Sequence, residues 1–217
     1  MRLSRRVALV VSALVIVGLV PGLLPASQRA VAAQELPTIP APVAVTLDPA
    51  TTAYLVLDIT SANCPTRPSC VASVPPIAAL LARARQANVF VVYSSITQPG
   101  AEILPEVAPL ASDPVVVTSA DKFYNTQFDE LLQSRGIRTV ILVGSSATGA
   151  VMYTAFGASQ RGYTSVVPED GLSAPLDFQI FMARFQMLNQ PGGANPDNEP
   201  LRQGAVTLTR TDLITFQ

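Results

Sequence analysis

Residues 139–163 constrain the fold of this chain more than any other stretch. The first six, Thr139-Val140-Ile141-Leu142-Val143-Gly144, form an apolar, β-branched run of the kind that makes a buried strand, and the last part has helical spacing that stops at Gly162. A polar turn, Ser145 to Gly149, separates the two. A strand that turns sharply into a helix belongs at the carboxyl edge of a parallel sheet, with free backbone N–H groups and the positive helix end facing a cleft. Such a turn suits an anion or an oxyanion. It also occurs in α/β proteins where it carries no chemistry, so the rest of the chain has to decide.

Further apolar runs repeat the pattern. Residues 53–57 form a short strand ending in Asp58, and 89–93, 115–118, 164–167 and 205–209 are four more strands. Helical spacing runs from Pro75-Pro76 through Ile77, Leu80, Leu81 and Ala84, over 123–135 up to Gly136, and over 177–188, while 189–200 is a Gly, Pro and Asn loop. Strands alternating with helices predict an α/β fold: a doubly wound, mainly parallel six-stranded sheet with helices on both faces, a Rossmann-like three-layer domain without internal repeats.

The first 33 residues stand apart. Arg2, Arg5 and Arg6 precede an apolar run over 7–24, and the small residues Ala30-Val31-Ala32-Ala33 follow, which is the layout of a secretory signal peptide over 1–33. The competing reading is an uncleaved anchor, the one route by which the chain would meet a membrane. The proline-rich stretch 34–50 reads as an extended linker and 51–217 as the domain. The expected location is therefore outside the cytoplasm: secreted, periplasmic or at the cell surface. Cleavage removes four arginines and no acids, leaving ten basic against 15 acidic residues, a net charge of −5 that argues against a nucleic-acid partner.

The composition also restricts the chemistry. Histidine is absent, which removes Ser-His-Asp and Cys-His devices and the commonest metal ligand; no metal site and no cofactor are expected. Cys64 and Cys70 lie in CPTRPSC, where a disulfide is the default in an exported protein and a free thiol the alternative. Lys122 is the single lysine among 14 basic residues, so it is either a compact point charge with a task or a solvated charge beside Asp121. Asp58 is either a functional acid at a strand end or a loop cap. Gly144 and Gly149 have phosphate-loop spacing, but Ala150 and Val151 occupy the places of the required lysine and hydroxyl, and no Gly-x-Gly-x-x-Gly follows a strand. Nucleotide binding is thereby excluded.

YLVLD ending at Asp58, Lys122 before a helix, RGIRTVILVG, the turn Gly144 to Ala150, Arg161-Gly162-Tyr163 and VVPEDGLSA occur in this order. Together they resemble the isochorismatase-like, or cysteine hydrolase, superfamily over residues 50–215. The resemblance implies a site in which Asp58 acts as proton acceptor, Lys122 assists with its charge, and backbone N–H groups of Ser146, Ala147, Thr148 and Gly149 stabilise a tetrahedral oxyanion. It places Ala150 at the position of the nucleophilic cysteine, which closes the covalent route. Three outcomes follow: acid-catalysed hydrolysis of a vinyl ether as in true isochorismatases, a degenerate small-molecule-binding domain, or substitution of the thiol by Ser145, Ser146 or Thr148, whose hydroxyls otherwise cap the following helix. By the same resemblance the partner is a small-molecule substrate or ligand, acted on at a vinyl ether or amide type bond, and a homo-oligomer is expected.

Overall fold

The computed structural model describes residues 35–217; the export signal expected over 1–33 lies outside the described residues. The chain runs β1 (Val45–Leu47), β2 (Thr52–Leu57), α1 (Pro68–Gln86), β3 (Phe90–Ser95) and β4 (Val115–Val117). It continues through α2 (Phe128–Gln133), β5 (Thr139–Ser145), α3 (Met152–Gln160), β6 (Thr164–Pro168) and β7 (Leu172–Ser173). α4 (Asp177–Leu188), β8 (Val206–Thr209) and β9 (Ile214–Phe216) complete it. Among the described residues no helix is long and apolar enough to cross a membrane.

The main sheet has the order β4-β3-β2-β5-β6-β8, and every pairing in it is parallel. Alternate residues of each central strand enter opposite cores. Leu55, Leu57, Val140 and Leu142 pack beneath α2, α3 and α4 with Leu132, Ala155, Ala158 and Met187. Tyr54, Val56, Ile141 and Val143 pack on the other face with Ile77 and Leu80 of α1. Burial on both faces explains why these strands read as continuous apolar runs. The strand order reverses between β2 and β5, so the carboxyl ends of these two strands flank the crevice of a doubly wound sheet.

Four expectations change in detail. The main sheet has seven strands rather than six, because β7 pairs with Gly144 and Ser145 at the end of β5; two residues are too short a run for periodicity to reveal. α1 begins at Pro68, not at Pro75-Pro76, both of which lie inside the helix. Pro68 occupies the first helical position, where the missing N–H costs nothing, and the carbonyls that Pro75 and Pro76 leave unbonded belong to the exposed residues Val71 and Ala72, open to water. α2 starts only at Phe128 because the Thr126 hydroxyl donates to the Lys122 carbonyl (2.5 Å) and accepts from the Phe128 N–H (3.2 Å), diverting the backbone from a helix.

The stretch read as a linker is the fourth. From Val43 it is docked: the Val43 N–H donates to the Leu208 carbonyl (3.1 Å), and β1 pairs in parallel with β9, Val45 opposite Ile214. Val45, Leu47 and Ile214 are buried in the core beneath α1, which offsets the entropy of fixing a proline-rich segment. The loop after α4 is likewise built in, since Asn198 Nδ2 donates to the Leu208 carbonyl (2.9 Å) and Asn198 Oδ1 accepts from the Leu208 N–H (2.7 Å), closing the edge of β8.

Two fully buried phenols set an alkaline limit. Burial pushes the Tyr54 hydroxyl well above the ordinary tyrosine range and raises that of Tyr93 as well. The unfolded chain ionises them near pH ~10 while the folded chain resists, so stability is complete below about pH 10 and falls as pH rises beyond it. Denaturant midpoints measured between about pH 8 and about pH 11 check this: Tyr54→Phe flattens the alkaline decline, and an unchanged decline shows that another group causes it.

Candidate active site

β2 ends because Asp58 takes a left-handed backbone conformation (φ 52°), which Asp tolerates better than most side chains. The turn brings its carboxylate over the carboxyl edge of the sheet, and Asn63 Nδ2 holds the Asp58 carbonyl at 3.1 Å. β3 lies beside it in register, Leu57 opposite Ser94, so the Ser94 hydroxyl donates to Asp58 Oδ1 at 2.7 Å. Lys122 arrives from the segment before α2. Its Nζ donates to Asp58 Oδ1 (3.0 Å), Asp58 Oδ2 (2.8 Å) and the Ser119 carbonyl (2.8 Å), which satisfies all three of its N–H groups.

Both members of the pair are shielded from solvent, Lys122 at 1% and Asp58 at 4% exposure. The segment carrying Lys122 is tied to α3 by its backbone N–H on Thr154 Oγ1 (3.3 Å). Gly157 permits that approach, because a Cβ there would stand 2.9 Å from Asp121 Oδ1 and from Phe123. Asp58 thus accepts from an ammonium and a hydroxyl, the arrangement of a buried, charge-assisted ion pair.

The opposite wall is the turn after β5. Gly144 (φ 150°) lets β2 and β5 come together at the crevice, since a Cβ there would lie 2.1 Å from the Leu57 carbonyl oxygen. A π-helical turn, Ala147–Val151, then leads into α3, with the Gly149 and Val151 N–H groups both on the Ser146 carbonyl (3.0 and 3.3 Å). Ser146 makes no side-chain cap, contrary to the capping expected from sequence; the π-turn gathers the amides on its carbonyl instead.

A cavity of about 220 Å³ lies between these walls, lined by Asp58 and Ala150 together with Asn63, Arg67, Ser119, Ser145 and Ser146. Of the residues expected at the turn, Ser146 and Ala150 face it, whereas the Ala147 methyl is fully buried in the core and Thr148 and Gly149 are not part of the wall. Asn63, Arg67, Ser94 and Ser119 were not anticipated. Arg67 and Asn63 come from the loop of Cys64 and Cys70, which are bonded, with Cα atoms 4.9 Å apart. Their signal in the sequence was position: a short closed loop directly after a strand-ending acid has to lie at the same sheet edge.

Residues 52–195 match the isochorismatase domain model. The chain belongs to the isochorismatase family. Two curated relatives match at the level of sequence: the secreted isochorismatase effector Isc1 of Verticillium dahliae, 32% identical over 113 residues, and the maleamate amidohydrolase of Pseudomonas putida, 29% identical over 126 residues. Each match takes in 46% of this chain, and it spans 60% and 59% of those relatives' lengths respectively. Among solved structures, the cysteine hydrolase of Pseudomonas syringae pv. phaseolicola superposes with a TM-score of 0.65 at 21% identity, over 82% of this chain and 95% of that one. In this chain Asp58 and the β5 turn line one cavity, and Lys122 is buried behind Asp58, outside that lining.

Breaking the pair from one side leaves a buried charge unbalanced, which generally costs about 3–5 kcal/mol. Lys122→Met is therefore expected to lower stability by about that amount, and Asp58→Asn combined with Lys122→Met to recover part of it, as read from urea-unfolding midpoints.

Proposed function

We propose that this isochorismatase-family protein hydrolyses an amide-type bond of a small molecule without an enzyme-bound intermediate, Asp58 acting as general base and Lys122 as its counter-charge. The observation that carries this reading is that Asp58, 2.8 Å from Lys122, lines the same cavity as Ala150. Water bound against Asp58 gives its proton to the carboxylate as its oxygen adds to the carbonyl carbon. The negative charge that develops on the carbonyl oxygen is met by N–H groups of the turn at the start of α3, and the proton passes from Asp58 to the departing amine. No step needs a side-chain nucleophile. The amidohydrolase name of one relative supports an amide over the vinyl ether. So does the hydrogen bonding of Asp58, because vinyl ether cleavage starts with a proton donated to carbon.

A second reading is a ligand-binding domain without turnover, favoured by the methyl group of Ala150 where the family resemblance places a thiol. The Ser145 hydroxyl loses support as a substitute nucleophile: its Oγ accepts from Arg67 Nη1 (2.9 Å), and no histidine exists to activate it. We further infer export, on the arginine-led apolar N-terminus and the Cys64–Cys70 bond, and self-association through α4, where Phe178 and Met182 are one turn apart and exposed. N-terminal sequencing of the secreted product and light scattering of the purified protein address these two points.

A panel of small amides and vinyl ethers, maleamate included, tests the catalytic reading. Asp58→Asn is expected to lower kcat by about 10²–10⁴-fold. Absence of any Asp58-dependent turnover, with a panel compound still raising Tm, establishes the binding reading instead. Ala150→Cys is expected to gain amidase activity through its new thiol, and a thiol no more reactive toward iodoacetamide than free cysteine would show that Asp58 and Lys122 do not activate that position.

A further inference from the structure

Arg67 is the one cation in the cavity wall, and among the described residues no carboxylate lies within ion-pair distance of it. Its guanidinium makes a single hydrogen bond, to the neutral Ser145 hydroxyl, which leaves most of its five donors open. Asp58 and Lys122 cancel each other, so the cleft carries one uncompensated positive charge. The cavity, at about 220 Å³, is smaller than the ~300 Å³ at which pockets for drug-sized ligands begin.

We propose that Arg67 is the specificity residue of this cleft: it holds the carboxylate of a small monoanionic ligand at the Ser145 side and so directs the ligand's other end toward Asp58. The proposal rests on the cleft being a ligand site and names the class of ligand it takes. One fixed guanidinium suits a monoanion; a phosphate dianion would leave negative charge beside Asp58 unbalanced.

The disulfide loop is what aims this side chain. Arg67 is flanked by Cys64 and Cys70, three residues away on each side, and the bond between them closes the loop on it. The Arg67 N–H donates to the Cys64 carbonyl (2.9 Å), and the Cys70 N–H donates to the Arg67 carbonyl (2.8 Å). Beyond it, the Ser69 hydroxyl donates to the Ala174 carbonyl (2.7 Å) and accepts from the Ala174 N–H (3.1 Å), fixing the start of α1 to the chain after β7. The guanidinium is therefore presented from a braced backbone, which lowers the ordering cost of binding. Cys64 and Cys70 act here as positioning residues.

Calorimetric titration of the full domain with succinamate, a monoanionic amide, and with succinamide, its neutral counterpart, tests the proposal. The wild type is expected to bind succinamate at least about tenfold more tightly than succinamide, the usual weight of one charge-assisted contact. Arg67→Gln is expected to lower succinamate affinity far more than succinamide affinity and so to erase the preference, and Arg67→Lys restores part of it, which separates lost charge from lost folding. Cys64→Ser with Cys70→Ser weakens succinamate selectively, by less than Arg67→Gln does. Equal affinity for the two probes in the wild type, no binding of either, or a uniform loss in Arg67→Gln overturns the proposal. Arg67-dependent binding without turnover leaves it standing while the hydrolase reading fails; Asp58-dependent turnover with no preference for the charged probe sinks this proposal alone.

Discussion

The ion pair between Asp58 and Lys122 is the interaction on which the site depends. It joins the end of β2, Ser94 of β3, the segment before α2 and, through Thr154, the first turns of α3. Each charge is shielded from water, and each is repaid by short contacts that use the ammonium's donors completely. Lysine suits this place better than arginine because a compact ammonium can direct three bonds into a space where a planar guanidinium would need a wider one.

Around that fixed pair the protein arranges two walls of different character. The β5 turn is main chain, made possible by Gly144 against Leu57 and by a π-turn that gathers the Gly149 and Val151 amides on the Ser146 carbonyl. The loop before α1 is side chain, and its disulfide, its turn hydrogen bonds and the Ser69–Ala174 contact hold Arg67 in place. The two walls thus set a charge-neutral ion pair and, among the described residues, a guanidinium without a carboxylate partner on one cavity. The proposed hydrolysis follows this division, because water can act as nucleophile where the family resemblance places Ala150 in the position of a cysteine.

Much of the fold was legible because burial writes itself into sequence. Strands covered on both faces have to be apolar throughout, and six such runs separated by helical spacing leave few topologies. Asp58 and the β5 turn were legible for a related reason, since a strand-ending acid and a strand-turn-helix both point to the carboxyl edge. What was missed lies where a neighbour rather than a pattern decides. The prolines inside α1 are tolerated because the unbonded carbonyls face water, Thr126 shortens α2 by a local hydrogen bond, and β1 is a strand only because β9 returns to pair with it.

By itself the sequence determined the α/β class, the absence of histidine chemistry, the acid at the end of β2 and the turn after β5. Only the tertiary structure decided that Asp58 is ion-paired to Lys122, and that Arg67 lines the same cavity. The reason is distance along the chain. Asp58, Ser94, Lys122 and Ser145 come from four separate segments, and the charge state and orientation of each depend on partners that periodicity does not encode. Strand register and the crossing of the chain at β2 and β5 bring those partners together.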